Sequence, residues 1–227
     1  MKQLIVFCEG PTEQGFCARV LGPYLFPDFD GRIYTLAVGR QDNHHVFGIQ
    51  KYAKLRKFII NTLKSRKDSH LRFTTMIDLY GSSDDFPGRA ANVRDPANPS
   101  RYVEALEKAF AEDVADPRFI ANFQLHEYEA LLFADPTAFK ISFENCDVQV
   151  RRLQGIAAEF PNVEHINDGR ATAPSKRIIA VLPQYDGRKT SAGPDIAEYI
   201  GMKKLCEKCP HFAAWVQRLA AGFTEVA

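Results

Sequence analysis

Leu4-Ile5-Val6-Phe7-Cys8-Glu9-Gly10-Pro11-Thr12-Glu13 decides how this chain must fold. Its apolar run reads as a strand buried on both faces, as in the interior of a parallel sheet. Gly10-Pro11 breaks that strand, and Pro11 suits the first turn of a helix, where its missing N–H would have had no partner. Glu9 is therefore expected at the carboxyl end of a central strand and Glu13 one turn into the next helix. Ligands of open α/β sheets bind along that edge. Glu9 is thus the first candidate metal ligand, and other acids qualify if the fold can bring them to it.

Working outward, the strand at 3–8 and a helix at 11–21 are expected to end at Gly22-Pro23. Arg32 to Val38 is rich in β-formers and closed by Gly39, a second strand, and a polar loop from Arg40 to His45 follows. Between Ile49 and Lys67 the apolar residues Tyr52, Leu55, Ile59 and Leu63 recur at helical spacing. Lys51, Lys54, Arg56, Lys57, Lys64, Arg66 and Lys67 surround that stripe, either as a solvated face or as contacts to a phosphate backbone. A third strand runs from Arg72 to Asp78, then a long Asp-, Gly- and Pro-rich loop from Ser82 to Pro99. Asn98 and Pro99 open a helix through Val103, Leu106, Phe110 and Val114, and Arg118 to Leu125 reads as a fourth strand that delivers His126-Glu127-Tyr128-Glu129 at its end. Strands alternating with helices predict an α/β fold: a mainly parallel sheet with helices on both faces.

From Asp147 onward the pattern is helical, with segments at Val148–Phe160, from Pro174 to Leu182, at Ile196–Met202 and at Phe212–Leu219. The expected organisation is an α/β core at 1–146 with a helical extension at 147–227 packed on it as one unit. The net charge of +1 means that any affinity for nucleic acid must come from local patches. No apolar run approaches a membrane span, and the N-terminal run is too short for a signal peptide. The five irregularly spaced cysteines point to reduced thiols and hence to the cytoplasm.

Glu9, Asp78 and Glu127 each follow an expected strand, so a parallel sheet can bring all three to one edge. Hard oxygen ligands there suit Mg²⁺ or Mn²⁺, ions that activate water and stabilise a leaving oxygen in phosphodiester cleavage. Glu13 and Glu129 are candidates for a second ion or for support of the first, or else acids favoured by a helix N-terminus. Asp84 and Asp85 would join the site or serve turns. Lys176 and Arg177 sit in the first turn of the helix opened by Pro174, where a cation opposes the helix dipole, so a phosphate-neutralising role is expected. Arg188 and Lys189 are candidates of the same kind. Cys206, Cys209 and His211 lack the fourth ligand of a structural zinc site. His44, His45 and His126 are candidate acids or bases. Walker-type and Gly-x-Ser-x-Gly motifs are absent.

The stretch Ile5 to Glu13 resembles the opening motif of Toprim-type domains, an apolar strand followed by Glu-Gly and a second Glu. Together with Thr75–Gly81, Gln124–Phe133, Pro174-Ser175-Lys176-Arg177 and Cys209–Trp215, it resembles the bacterial domain-of-unknown-function family 4276 (DUF4276) across nearly the whole chain. The resemblance implies a Toprim-like fold, related to that of overcoming-lysogenization-defect-type nucleases. It also implies Mg²⁺-dependent phosphoryl transfer on DNA or RNA, and work beside a partner ATPase of AAA or ABC type in anti-phage defence. Glu9 then matches the Toprim glutamate and Asp78 the first acid of the Asp-x-Asp motif, whose second acid is Tyr80 here; Glu127 or Asp84 would take its place. Lys176 matches the basic residue near the scissile phosphate, and with Arg177, Lys54 and Lys57 would hold nucleic acid. The alternative is a module that keeps the fold, binds nucleic acid or a partner ATPase, and does not cleave.

Overall fold

Strand β1 (Lys2–Cys8) alternates its side chains between two apolar environments: Leu4, Val6 and Cys8 enter one core, and Ile5 and Phe7 the other. That pattern forces helices onto both faces of the sheet. In a computed structural model, residues 1–38, 51–80, 82–92, 94–95, 98–167, 169 and 171–224 are described, with the backbone of 40–42 and 45–47. β1 pairs in parallel with β2 (Gly31–Ala37) on one side and with β5 (Leu71–Met76) on the other, and β6 (Phe119–Ile120) pairs in parallel with β5. The sheet order is β2-β1-β5-β6. This is the expected α/β architecture with a helical C-terminal part.

The connection from β1 to β2 runs one way along the sheet and that from β5 to β6 the other. Right-handed crossovers in opposite directions put their helices on opposite faces. Accordingly α1 (Pro11–Phe16) packs with Leu4 and Val6 through Phe16, whereas α3 (Tyr52–Ser65) and α4 (Pro99–Val114) pack with Ile5 and Phe7. The gap between the carboxyl ends of β1 and β5 is therefore the topological switch point, the position at which such sheets bind ligands.

Several expected boundaries move, each for a local reason. The helix after β1 does not stop at Gly22-Pro23. It passes through a π turn, Cys17–Leu21, in which Gly22 N–H reaches Cys17 O, and continues as α2 (Gly22–Leu25). Within the expected polar loop at 40–45, Arg40–Asp42 forms β3, which pairs antiparallel with β4 (His45–Phe47). The expected strand 118–125 is regular only over β6. Beyond it, the Thr74 and Thr75 hydroxyls donate to Ile120 O and Asn122 O at 2.6 and 2.7 Å, so side chains replace part of the ladder. The segment after it is a 3₁₀ stretch, Tyr128–Ala134.

The C-terminal part supplies α5 (Asp147–Ala158), α6 (Pro174–Val181), α7 (Lys189–Ile200), α8 (Met202–Lys208) and α9 (Pro210–Thr224). The expected helix at 196–202 is longer on its N-terminal side and is divided from α8 by Gly201, at φ 78°. Trp215 of α9 is fully buried on the β1/α1 face and its Nε1 donates to Thr74 Oγ1 at 2.9 Å. Among the described residues no helix is long and apolar enough to cross a membrane.

Close packing of α1 against α7 shapes the switch point. A Cβ added at Gly15 of α1 would lie 2.9 Å from Pro194 Cγ of α7, and one at Gly193 would lie 3.0 Å from Thr12 Cγ2. The two helices thus touch through glycine and proline surfaces, and their N-termini lie side by side at the switch point. Overpacking this seam costs about 1–3 kcal/mol. Gly15→Val is expected to lower the urea midpoint by a corresponding amount. An unchanged midpoint would show that the seam yields without cost.

Candidate functional site

The site begins where β1 ends. Glu9 leaves the strand half-buried, and its Oε2 accepts a hydrogen bond from Asp78 N–H at 3.0 Å, across the gap between β1 and β5. Gly10 N–H donates to Glu13 Oε2 at 2.9 Å, the reciprocal half of a capping box that turns the chain from β1 into α1. Asp78 bridges Gln124 in parallel register, and Asp78 Oδ1 accepts from Tyr128 N–H at 2.9 Å. The next residues turn sharply because His126 adopts the left-handed region, φ 66°, which histidine tolerates better than most side chains. Glu127 Oε2 then accepts from Ser175 N–H at 2.8 Å, in the first turn of α6. Glu129 Oε1 lies 3.5 Å from Tyr185 Oη and 3.9 Å from Lys189 Nζ.

Five acids from three stretches of chain are thereby gathered at the switch point. Four of them have one oxygen fixed by a backbone N–H, so these carboxylates are oriented by the fold and not by one another. Glu13, Glu127 and Glu129 are each buried. Burial, and then the charges of Glu127 and Glu129, push Glu9 up to about 7 against the opposing effect of Asp78 N–H. Burial and the charge of Glu9 push Glu13 up to about 7. Burial and Glu127 do the same to Glu129, although Lys189 pulls it down, and it too stands at about 7. Asp78 is raised well above the ordinary carboxylate range, first by burial and then by Glu9, Glu13, Glu129 and Glu127. Among the described residues no three His, Cys, Asp or Glu side chains already surround one ion position. The donors are all hard oxygens, the chemistry Mg²⁺ and Mn²⁺ select.

A cavity of about 540 Å³ opens beside these groups, lined by Glu9, Thr12, Glu13 and Asp78 on one side and by Asp186, Lys189 and Thr190 on the other. Such a volume lies in the range of small-molecule and cofactor sites. Lys189 reaches it because α7 lies against α1. Its Nζ is also 3.9 Å from Asp186 Oδ1, so a cation stands against the acids across the cavity.

The remaining candidates fall elsewhere. Lys176 is exposed in the first turn of α6, whose N-terminal Ser175 N–H is held by Glu127. Arg177 donates through Nε to Thr172 O at 2.9 Å and lies over the Phe160 ring at 5.4 Å. Lys54 and Lys57 are exposed on α3, whose N-terminus starts at the carboxyl edge of the sheet. Asp84 is fully exposed, 4.0 Å from Arg89 Nη1, and Asp85 accepts Tyr52 N–H at 3.0 Å, capping α3. Both serve the loop and the helix start. His126 is buried, and burial, then Arg94 and His165, bring it down to about 4. His211 pairs with Glu107 at 2.9 Å through Nε2, and Glu164 accepts the N–H groups of His211 and Phe212, so Glu164 caps α9 and the histidine side chain anchors it. His44 lies outside the described residues, as does the side chain of His45.

Sequence reasoning missed Asp186 and ranked Lys189 no higher than its neighbours. The available signal was their place around a helix start, Asp186 just before α7 and Lys189 at its first position, in a segment rich in glycine and charge. The family model described as "Domain of unknown function (DUF4276)" matches residues 8–220. No curated protein and no solved structure matches the chain.

The raised carboxylates set a pH dependence. Glu9, Glu13 and Glu129 have an ordinary value of 4.5 and stand at about 7 in the folded protein. Between these values the unfolded chain loses protons that the folded chain keeps, so stability falls as pH rises through that window. Metal-free protein is expected to show a falling thermal midpoint from pH 4.5 to about 7 in calorimetry. Glu13→Gln, neutral throughout, should flatten the fall and melt above the wild type at the alkaline end. A level wild-type profile would contradict the clustering.

Proposed function

The chain belongs to the DUF4276 family, and from the site it carries we propose that it is a divalent-metal-dependent phosphodiesterase of Toprim type acting on nucleic acid. The observation that carries this reading is the convergence of Glu9, Asp78, Glu127, Glu13 and Glu129 at the switch point of a parallel sheet, each perturbing or being perturbed by the others. Gathering so much like charge is costly unless a cation is to be held. Glu9, Asp78 and Glu127 are the residues that would hold Mg²⁺ or Mn²⁺, with Glu129 in support. The chemistry such an ion supplies when bound is an activated water and neutralised charge on the phosphoryl group.

The chain's own groups do the rest. Glu13, at about 7, is matched to accept a proton near neutral pH and acts as general base. Lys189, facing the acids across the cavity, neutralises the phosphate from the opposite side. Lys176, on α6, and Lys54 and Lys57, on α3, are exposed cations that track the backbone of a longer polyanion outside the cavity. A partner ATPase fits this reading as the element that delivers or opens the nucleic acid. A second reading rests on Tyr80, which stands where the Toprim pattern has its second acid and whose N–H is taken by His126 O at 2.9 Å. On that reading the module binds nucleic acid or the ATPase without cleaving.

The test is cleavage of labelled DNA and RNA by purified protein in Mg²⁺ or Mn²⁺. Glu9→Gln is expected to abolish cleavage, and Glu13→Gln to slow it by roughly 10²–10⁴-fold. Lys189→Met should lower kcat, whereas Lys176→Ala should weaken binding and make it less sensitive to salt. Cleavage that survives Glu9→Gln would refute the assignment. Salt-dependent binding with no cleavage in either metal would select the second reading.

A further inference from the structure

A second cavity, of about 630 Å³, lies behind the turn that carries Lys189. It is lined by Asn145, Gln149, Gln184, Glu144, Phe143 and Arg188, among others. Arg188 and Lys189 are consecutive, so their Cα atoms are about 3.8 Å apart, yet one lines this cavity and the other lines the acid cavity. The Arg188 guanidinium is held in place: its Nη1 donates to Ser142 O at 2.8 Å and its Cζ lies over the buried Phe143 ring, 4.9 Å from the centroid. A fixed guanidinium of this kind is a platform on which a base stacks. Ser142 Oγ at the same place is buried and makes no hydrogen bond among the described residues.

The polar groups around the platform are of the kind that read base edges. Asn145, Gln149 and Gln184 each offer both a donor and an acceptor, and Glu144 is an acceptor suited to an exocyclic amine. Phosphate recognition alone would not call for three amides and an acid. We propose that this cavity seats the base of the nucleotide adjoining the cleaved phosphate, which makes single-stranded nucleic acid the substrate. A base can enter only when unpaired and turned out of a helix. The inference rests on the reading of the acid cavity as the phosphodiester site, since the backbone would cross the Asp186–Lys189 turn from one cavity to the other.

The experiment measures binding, so that it does not depend on turnover. Full-length protein with Ca²⁺ is titrated into a fluorescein-labelled single strand of about twelve nucleotides, and into the same sequence as a duplex, by fluorescence anisotropy. The wild type should bind the single strand more tightly, and Arg188→Ala and Gln184→Ala should each weaken that binding by about tenfold. Gln184 is exposed, so its variant tests the cavity where Arg188→Ala disturbs the turn. Unchanged affinity in the Gln184 variant, or a duplex bound as tightly as the single strand, would overturn the proposal. Hydrolysis of bis(para-nitrophenyl) phosphate by the wild type is followed in parallel with Mn²⁺. Its absence beside intact, variant-sensitive strand binding counts against the phosphodiesterase reading alone and leaves the cavity as a seat for an unpaired base.

Discussion

Repulsion between like charges at short range is the constraint that the rest of this structure answers. Glu9, Glu13, Asp78, Glu127 and Glu129 meet where two strands of a parallel sheet part, and burial strengthens their mutual opposition. The fold meets that opposition with backbone amides. Asp78, Gly10, Tyr128 and Ser175 each give an N–H to one carboxylate oxygen, at 2.8–3.0 Å. Amide donors cannot be reoriented without unmaking the strand ends and helix starts they belong to. Four of the acids are therefore held at the strand ends and helix starts even though their charges oppose one another.

The same device recurs away from the site. Asp85 holds the first amide of α3, Glu164 two amides at the start of α9, and Glu127 an amide at the start of α6. In each case an acid distant in sequence caps a helix that would otherwise begin with unsatisfied donors. For Glu127 the cap also couples the C-terminal helices to the candidate site. A shift of α6 moves the carboxylate it leans on, so the part of the chain after residue 147 is involved in the site's geometry as well as in covering the sheet.

The second contribution of the C-terminal part is Lys189. It arrives because α7 lies against α1 with glycine and proline at the contact, Gly15 against Pro194 and Gly193 against Thr12. Larger side chains there would separate the helices and withdraw the lysine from the acids. Positive charge at the cavity thus depends on residues that carry no charge.

Much of the fold is legible in the sequence. The apolar run at 4–8 followed by Glu-Gly-Pro determined a buried parallel strand, a break and a helix start, because strand interiors, proline and the first helical turn each obey local rules. The stripe of Tyr52, Leu55, Ile59 and Leu63 determined the buried face of α3 for the same reason. The acids at 9, 78 and 127 could be assigned to one edge from the parallel topology alone. Local rules do not describe pairing made by side chains, and so the strand expected at 118–125 is too long where Thr74 and Thr75 replace the ladder. They do not describe a π turn either, which carries the first helix through Gly22-Pro23. Which cation faces the acids was beyond them altogether. Lys176, Arg177, Arg188 and Lys189 look alike in sequence, and only the packing of α7 on α1 selects Lys189, because a distance between segments some 180 residues apart is set by the shapes of the helices between them and not by anything near either residue.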